Sequence, residues 1–397
     1  MPAGLPCHHD PNDRPAGRWP AAPPAPCFVH RPSGRTPMST FGIEEEFFLL
    51  NPDTGMPGVP DPAASAALMD IRAGGNSTQS ELLACQVETA TPICSDGPAA
   101  LASLREYRKE LARTAQELGL LPVGLGAAPV VPTGPAVIAD QERYRRLHEY
   151  LPGISSEQYV SGLHVHVSVP DADAGVVALN ALRPWLPLLL AIGSNSPWWH
   201  GADTGFASWR SIHYRRWSVQ GIQPHFADGH EYRTRLDTLL ASEVVVDQGH
   251  IGWAARLSSR YPTVEVRIAD AQLRAEDSVL LALLVRALVD TALRAPATGG
   301  PLLPEVLDLA FWQAAKHGMV GNQVDPGSGR TLGTGLLLEA LLQFIGEALS
   351  LNGDTAFVHA GLERLARHGN GAQRQRNSFQ RGGLVQVVGD AGQELTA

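Results

Sequence analysis

A chain of 397 residues, 44% of them hydrophobic, is long enough for one large domain or two ordinary ones and can bury a sizeable core. A net charge of −9 argues against a nucleic-acid-binding surface, yet it leaves room for a phosphate-bearing small molecule, for which a few local arginines and a cation suffice. Four cysteines (Cys7, Cys27, Cys85, Cys94) make no disulfide framework and point to a reducing cytoplasm. The most apolar stretch, Val176 to Ile192, is interrupted by Asn180, Arg183, Pro184 and Pro187, so it reads as a broken core helix and not as a membrane span.

Residues 1–37 are rich in Pro, Ala, Gly and Arg without periodicity, which predicts a disordered extension; residues 38–397 then form a single catalytic domain, and Met38 is a candidate start. The spacing of Cys7, His8, His9, Cys27 and His30 fits no zinc pattern. The first predicted strand is Phe41–Leu50, followed by a Pro/Gly/Asp loop over residues 51–62. Asp96 to Gly119 predicts a helix: Asp96 or Ser95 caps it, Pro98 suits its first turn, and Leu104, Leu111 and Leu118 line one face. Further helices are expected over 276–294, stopped by Pro296, and over 336–350. Strands and helices alternate irregularly, and there is no Gly-rich dinucleotide or Walker loop, so an antiparallel α+β fold is expected over a doubly wound sheet.

Chemistry concentrates on four segments that have one apolar and one polar face. In the first strand Glu44 and Glu46 share a face and Glu45 takes the other. Two like carboxylates ~4 Å apart at an effective dielectric of about 20 repel by roughly 4 kcal/mol. Such a pair suits a bound cation or a carboxyl kept protonated for acid–base work; the alternative is a solvent-facing edge strand. Glu45, pointing away, is expected to meet a structural partner or solvent and to tolerate substitution best of the three. In Ser161–Val169, His164, His166 and Ser168 alternate with Leu163, Val165 and Val167. In Thr263–Asp270, Glu265 and Arg267 oppose Val264, Val266 and Ile268. Glu81 and Glu88 lie seven residues apart, on one face of a helix but on opposite faces of a strand unless a bend intervenes. Carboxylates with imidazoles and no ligating Cys suit hard cations such as Mg²⁺ or Mn²⁺, and such cations with arginines suit the phosphates of ATP.

In this order and spacing, Gly42-Ile43-Glu44-Glu45-Glu46, Glu81 through Glu88, Gly162-Leu163-His164-Val165-His166-Val167 and Thr263-Val264-Glu265-Val266-Arg267 resemble the bacterial YbdK-type carboxylate–amine ligases, the glutamate–cysteine ligase type 2 family. Supporting similarities are Asn195-Ser196-Pro197, Gly201 through Arg210, Trp253 with Arg256, and Asp325-Pro326. The resemblance implies a glutamine-synthetase-like antiparallel sheet, a partly closed barrel with helices packed outside. It implies ATP-dependent ligation, in which the γ-carboxylate of glutamate becomes an acyl phosphate and joins an amine such as cysteine, with weak glutamate–cysteine ligase activity. Carried over residue by residue, it makes Glu44, Glu46, Glu88 and Glu265 metal ligands, with Glu81 a further candidate. His164 becomes a metal or phosphate contact, and Arg267 a neutraliser of phosphoryl charge. Together, Arg267, His164 and Glu265 form the catalytic group, while Arg267, Arg210, Arg256 and His166 contact nucleotide or substrate. The partners implied are small molecules, with no nucleic acid and no membrane, and a homodimer is a further option. Gly205 and Leu257-Ser258-Ser259 depart from the family pattern and leave the amine open. The basic, Gly-rich run 369–383 reads as a mobile lid over phosphates or as a flexible solvated loop. From the residues alone, a guanidino-kinase-like phosphotransferase and a metal-dependent hydrolase remain as alternatives.

Overall fold

The computed structural model describes residues 38–295 and 302–397, so the extension expected over residues 1–37 lies outside the described residues. Eight strands form one antiparallel sheet: β1 (Phe41–Leu50), β2 (Arg72–Ala73), β3 (Asn76–Ser80), β4 (Gln86–Ala90), β5 (Leu121–Val123), β6 (Gly162–Ser168), β7 (Ala255–Leu257) and β8 (Thr263–Asp270). In space they run β7-β8-β6-β1-β4-β3-β2, with β5 paired to the C-terminal end of β1. Helices α1 (Gly97–Glu117), α2 (Glu142–Tyr150), α3 (Ala172–Leu182), α4 (Leu186–Ile192), α5 (Ala275–Arg294), α6 (Thr334–Asn352), α7 (Thr355–His368) and α8 (Gly371–Leu395) account for most of the helical residues.

The α+β expectation and the large antiparallel sheet hold, and the sheet is not a closed barrel. Closure would require the end strands β7 and β2 to pair. Instead β2 packs on α1, where Gly74 lets the turn after it approach the Ser103 backbone so closely that a Cβ would lie 2.3 Å from the carbonyl oxygen.

Helix α1 starts as its sequence predicts: the Asp96 carboxylate accepts the Ala99 N–H at 2.8 Å, and Gly119, at φ +70°, carries the chain away. The broken apolar stretch becomes α3 and α4, bent by 67°. Among the described residues, α6 is the one unbroken helix long and apolar enough to cross a membrane, and it packs on α5.

One face of the sheet is apolar. Ile43, Leu163, Val165, Val167, Val264 and Val266 are all buried against α3, α4 and the almost wholly buried α5. Because side chains alternate along each strand, this packing commits their polar neighbours to the opposite face, where the cavity lies.

The run 369–383 is neither a lid nor a loop. It begins α8, which Asn370 and Gln373 start with a reciprocal capping box; the helix is broken only at Gly382–Gly383. Its arginines are engaged away from the cavity: Arg374 with Glu394, Arg376 with Asp203, and Arg381 with Asp390.

Candidate active site

Strand register brings the polar residues together. Glu46 lies opposite Glu88 on β4, Glu44 opposite His164 on β6, and His166 opposite Glu265 on β8. Arg256 on β7 lies opposite Glu265 in turn. On β8 the pairing slips by one residue between Val266 and Ala269; such a bulge re-aims side chains, here beside Arg267. Glu81 follows the end of β3, and the turn between it and β4 supplies the bend that lets Glu81 and Glu88 share a face. Glu44, Glu46, Glu81, Glu88, His164, His166, Arg210, Arg256, Glu265 and Arg267 thus line one cavity of about 940 Å³.

The electrostatics of this floor are polarised. Burial pushes the Glu46 carboxyl up to about 8, with the charge of Glu81 adding to the effect. Burial likewise raises Glu88 well above the usual carboxylate range, helped by Glu81, Glu44 and Glu46, and Glu88 hydrogen-bonds Glu81. Glu44 goes the other way: burial opposes its charge, but the hydrogen bond from His164 and the close approach of both His164 and His166 outweigh that and hold it far below the usual range. Glu265 is also low despite its burial, because Arg267 and Arg256 flank it. Burial and the nearby Arg267 charge bring His164 down to about 4, so its imidazole is neutral at physiological pH.

The tautomers follow from the partners. His164 Nδ1 lies 3.1 Å from Glu44 Oε2, and a carboxylate only accepts, so Nδ1 carries the proton and Nε2 keeps its lone pair. The Nε2 atoms of both His164 and His166 are buried without a hydrogen-bond partner. His166 Nε2 lies 3.2 Å from Glu44 Oε1, close enough for an ion pair but off the line a hydrogen bond needs. Ligand atoms of Glu44, Glu88 and His164 lie within 4.8 Å of one another, as do those of Glu44, His166 and Glu265. Two orphaned imidazole nitrogens beside mutually repelling carboxylates fit one or two hard divalent cations. Glu46 and Glu81 stand beside these groups; Glu46 spends Oε2 on the Gly162 N–H at 2.7 Å.

Three arginines differ in what they have left to offer. Arg267 pairs with Glu265 and points into the cavity. Arg210, on the helical turn Trp209–His213, is 6% exposed and passes over Gly162, where a Cβ would lie 2.3 Å from its Nη2. Beneath it the buried Asp270 sits 3.9 Å from Nη1 and is held by the Asn195 N–H and by the Ser196 and Ser208 hydroxyls, each within 2.8 Å. Arg256 grips Glu265 with Nε and Nη2, at 2.8 and 3.1 Å, while Nη1 donates to the Ile251 and Gln248 carbonyls at 2.8 and 3.0 Å. Four of its five N–H donors are thereby used within the protein, although the side chain still lines the cavity.

The cavity walls hold residues that no strand pattern singles out, among them Arg143, Tyr144, Tyr214, Trp217, Asp247 and His250. They come from helices and irregular segments, where no two-residue period marks them. Of the two departures from the family pattern, Ser258 and Ser259 line the cavity, whereas Gly205 does not; it sits at φ +73° in a turn near Lys316.

The family model of glutamate–cysteine ligase family 2 matches residues 40–390. A Nocardia farcinica protein, whose name marks it as a candidate glutamate–cysteine ligase 2-1, is 44% identical over 345 residues, covering 86% of this chain and 88% of its own. A similarly named Saccharopolyspora erythraea protein is 40% identical over 343 residues, covering 86% and 90%. Among solved structures, the glutamate–cysteine ligase of Francisella tularensis in complex with AMP has a similar fold, with a TM-score of 0.65 at 11% identity, over 90% of this chain and 89% of that one. The bifunctional glutathione synthetase of Pasteurella multocida gives 0.64 at 16% identity over 90% of this chain; the chain spans about half of that enzyme, 52%. At these identities the structural likeness speaks for the fold, while the family model and the sequence relatives speak for descent: the chain belongs to glutamate–cysteine ligase family 2 and is a ligase.

Proposed function

We propose that this chain is an ATP-dependent carboxylate–amine ligase that activates the γ-carboxylate of glutamate as an acyl phosphate and joins it to an amine, with cysteine as the first candidate. The observation that carries the reading is Glu44 shared between two cation-holding groups on a floor that also presents the guanidiniums of Arg210 and Arg267. Mutually repelling carboxylates beside the guanidiniums of Arg210 and Arg267 suit a polyanion and its counter-cations. The names of the relatives support the substrates, and the AMP bound to the Francisella tularensis neighbour supports a nucleotide.

Mg²⁺ or Mn²⁺ bound by Glu44, Glu46, Glu88, Glu265 and His164, with Glu81 nearby, would supply charge neutralisation and alignment for the phosphates. Arg267 and Arg210 face the same space and stabilise negative charge that develops on the transferred phosphoryl oxygens. The γ-carboxylate oxygen of glutamate attacks the γ-phosphorus, and the bond to ADP breaks. The amine nitrogen then attacks the acyl carbon, loses a proton and expels inorganic phosphate.

The experiment is ADP formation by purified protein with Mg²⁺, ATP and glutamate against a panel of amines. The proposal predicts turnover only when all components are present. A stable phosphorylated product formed without amine would identify a phosphotransferase, and turnover without ATP a hydrolase.

A further inference from the structure

One wall of the cavity is formed by Asp247–His250, in a short turn that runs on to Ile251 and in which the Asp247 carboxylate accepts the His250 N–H at 2.9 Å. Two arginines from different elements hold it. From α2, Arg143 takes Asp247 bidentately, with Nε–Oδ2 at 2.6 Å and Nη2–Oδ1 at 3.0 Å. This pair is half-exposed (43% and 35%), so solvent and salt weaken it. From β7, Arg256 reaches the carbonyls of Gln248, Gly249 and Ile251 with one nitrogen while its other two grip Glu265. Its side chain is only 12% exposed and that of Glu265 5%, so this second hold is shielded. Gly249 makes room for the outer arm: a Cβ there would lie 2.4 Å from Arg143 Nη2.

We propose that Arg256 is a positioning residue that ties the cavity-facing carboxylate of Glu265 to the wall Asp247–Ile251, so that wall and floor keep one fixed spacing, with Arg143 as the weaker outer arm of the same clasp. A planar guanidinium suits this task, since its rigid fork satisfies a carboxylate on one edge and backbone carbonyls on the other. Among the described residues no other side chain reaches Glu265 and the wall together in this way: Arg267 contacts Glu265 but not the wall, and Arg143 contacts the wall but not Glu265. The metal-binding part of this inference rests on Glu265 holding a cation, as proposed above; the link between wall and floor does not.

The test compares the full-length chain with its R256Q, R256K and R143Q variants and needs no turnover. Two quantities are read: Mn²⁺ affinity without nucleotide, from the paramagnetic resonance of free Mn²⁺, and amide hydrogen exchange across residues 245–253. R256Q should weaken Mn²⁺ binding by about 10-fold or more and speed exchange in the wall. R143Q should speed exchange in the wall and leave Mn²⁺ affinity unchanged. R256K, which keeps the charge but has one nitrogen for two tasks, should stay folded and still speed exchange. Wild-type exchange in R256K, or equal loss of Mn²⁺ affinity in R143Q and R256Q, would overturn the clasp. Should E265Q keep full Mn²⁺ affinity, the metal role of Glu265 fails instead, and the exchange data still decide the link.

Discussion

Arg108 and Glu45 form a fully buried, bidentate ion pair on the helix side of β1, with Nε–Oε2 at 3.0 Å and Nη2–Oε1 at 2.6 Å and side-chain exposures of 1% and 2%. The Ser278 hydroxyl also donates to Glu45, and Arg108 Nη1 donates to the Leu273 carbonyl at 2.9 Å. The middle glutamate of the triplet thus locks the sheet to α1 and α5, while its two neighbours face the cavity.

Substitution at Glu45 is therefore not the mild change that its direction away from the site suggests. Glu45→Ala strands a buried guanidinium and should cost about 3–5 kcal/mol in denaturant unfolding. Replacing both partners by methionine should recover most of that loss. A stability change below about 1 kcal/mol in the single variant would contradict this role.

The outer glutamates should behave in the opposite way. Glu46→Gln should lower ligase turnover by about 100-fold or more while the melting temperature stays near wild type, whereas Glu265→Gln, on β8, should lower turnover as far and also lower the melting temperature, because Arg256 and Arg267 lose their shared carboxylate. Gly162→Ala tests the same floor through Arg210, whose guanidinium must move to admit the methyl group. Near-normal turnover in both glutamine variants would remove these carboxylates from the mechanism.

Cation binding should release protons at neutral pH. Glu46, pushed up to about 8 by burial and the charge of Glu81, holds its proton there, and a divalent cation reverses that preference. Calorimetric titration of Mn²⁺ in two buffers of different ionisation enthalpy should show heats that differ by the protons released, and Glu46→Gln should reduce the difference. Identical heats in both buffers would contradict it.

A pH effect on stability is expected at His213, outside the metal-facing groups. Burial, with the charges of Arg216 and His200 nearby, brings its imidazole down to about 3, while its ring packs 4.6 Å from Trp199. The unfolded chain binds this proton more readily, so the group's contribution is present above about pH 6.5 and is lost as the pH falls toward 3, by at most about 1.4 kcal/mol per pH unit. His213→Gln should flatten the unfolding free energy over that window; an unchanged slope would contradict the assignment.

At the N-terminus of α8, an added Cβ at Gly371 would lie 2.0 Å from Asn195 Oδ1, and Gln375 Nε2 donates to the Asn195 carbonyl at 2.8 Å. Asn195 in turn donates its backbone N–H to Asp270 beneath Arg210. Gly371→Ala should therefore destabilise by about 1–3 kcal/mol and also raise KM, measured alongside thermal melts.

The parts of this fold that were legible were those with a local period. Leu163 to Val169 and Val264 to Ile268 alternate cleanly because one face must be buried, and that fixed which residues shared the cavity. Helix α8 was illegible because glycines and arginines carry no apolar period; the capping box and the contact with Asn195 make it helical, and only the box is local in sequence. How far the sheet closes was not legible, because edge pairing is a long-range outcome that strand patterns do not encode. Arg143, on α2, and Asp247, in a short turn, lie 104 residues apart, so no spacing rule could have joined them.

The most direct test of the central claim is isotopic. With glutamate carrying ¹⁸O in its γ-carboxylate, an acyl phosphate resolved by the amine must pass one ¹⁸O from each glutamate to the inorganic phosphate released. Labelled phosphate formed only in the presence of ATP and amine is the predicted result. Unlabelled phosphate alongside amide product would contradict it.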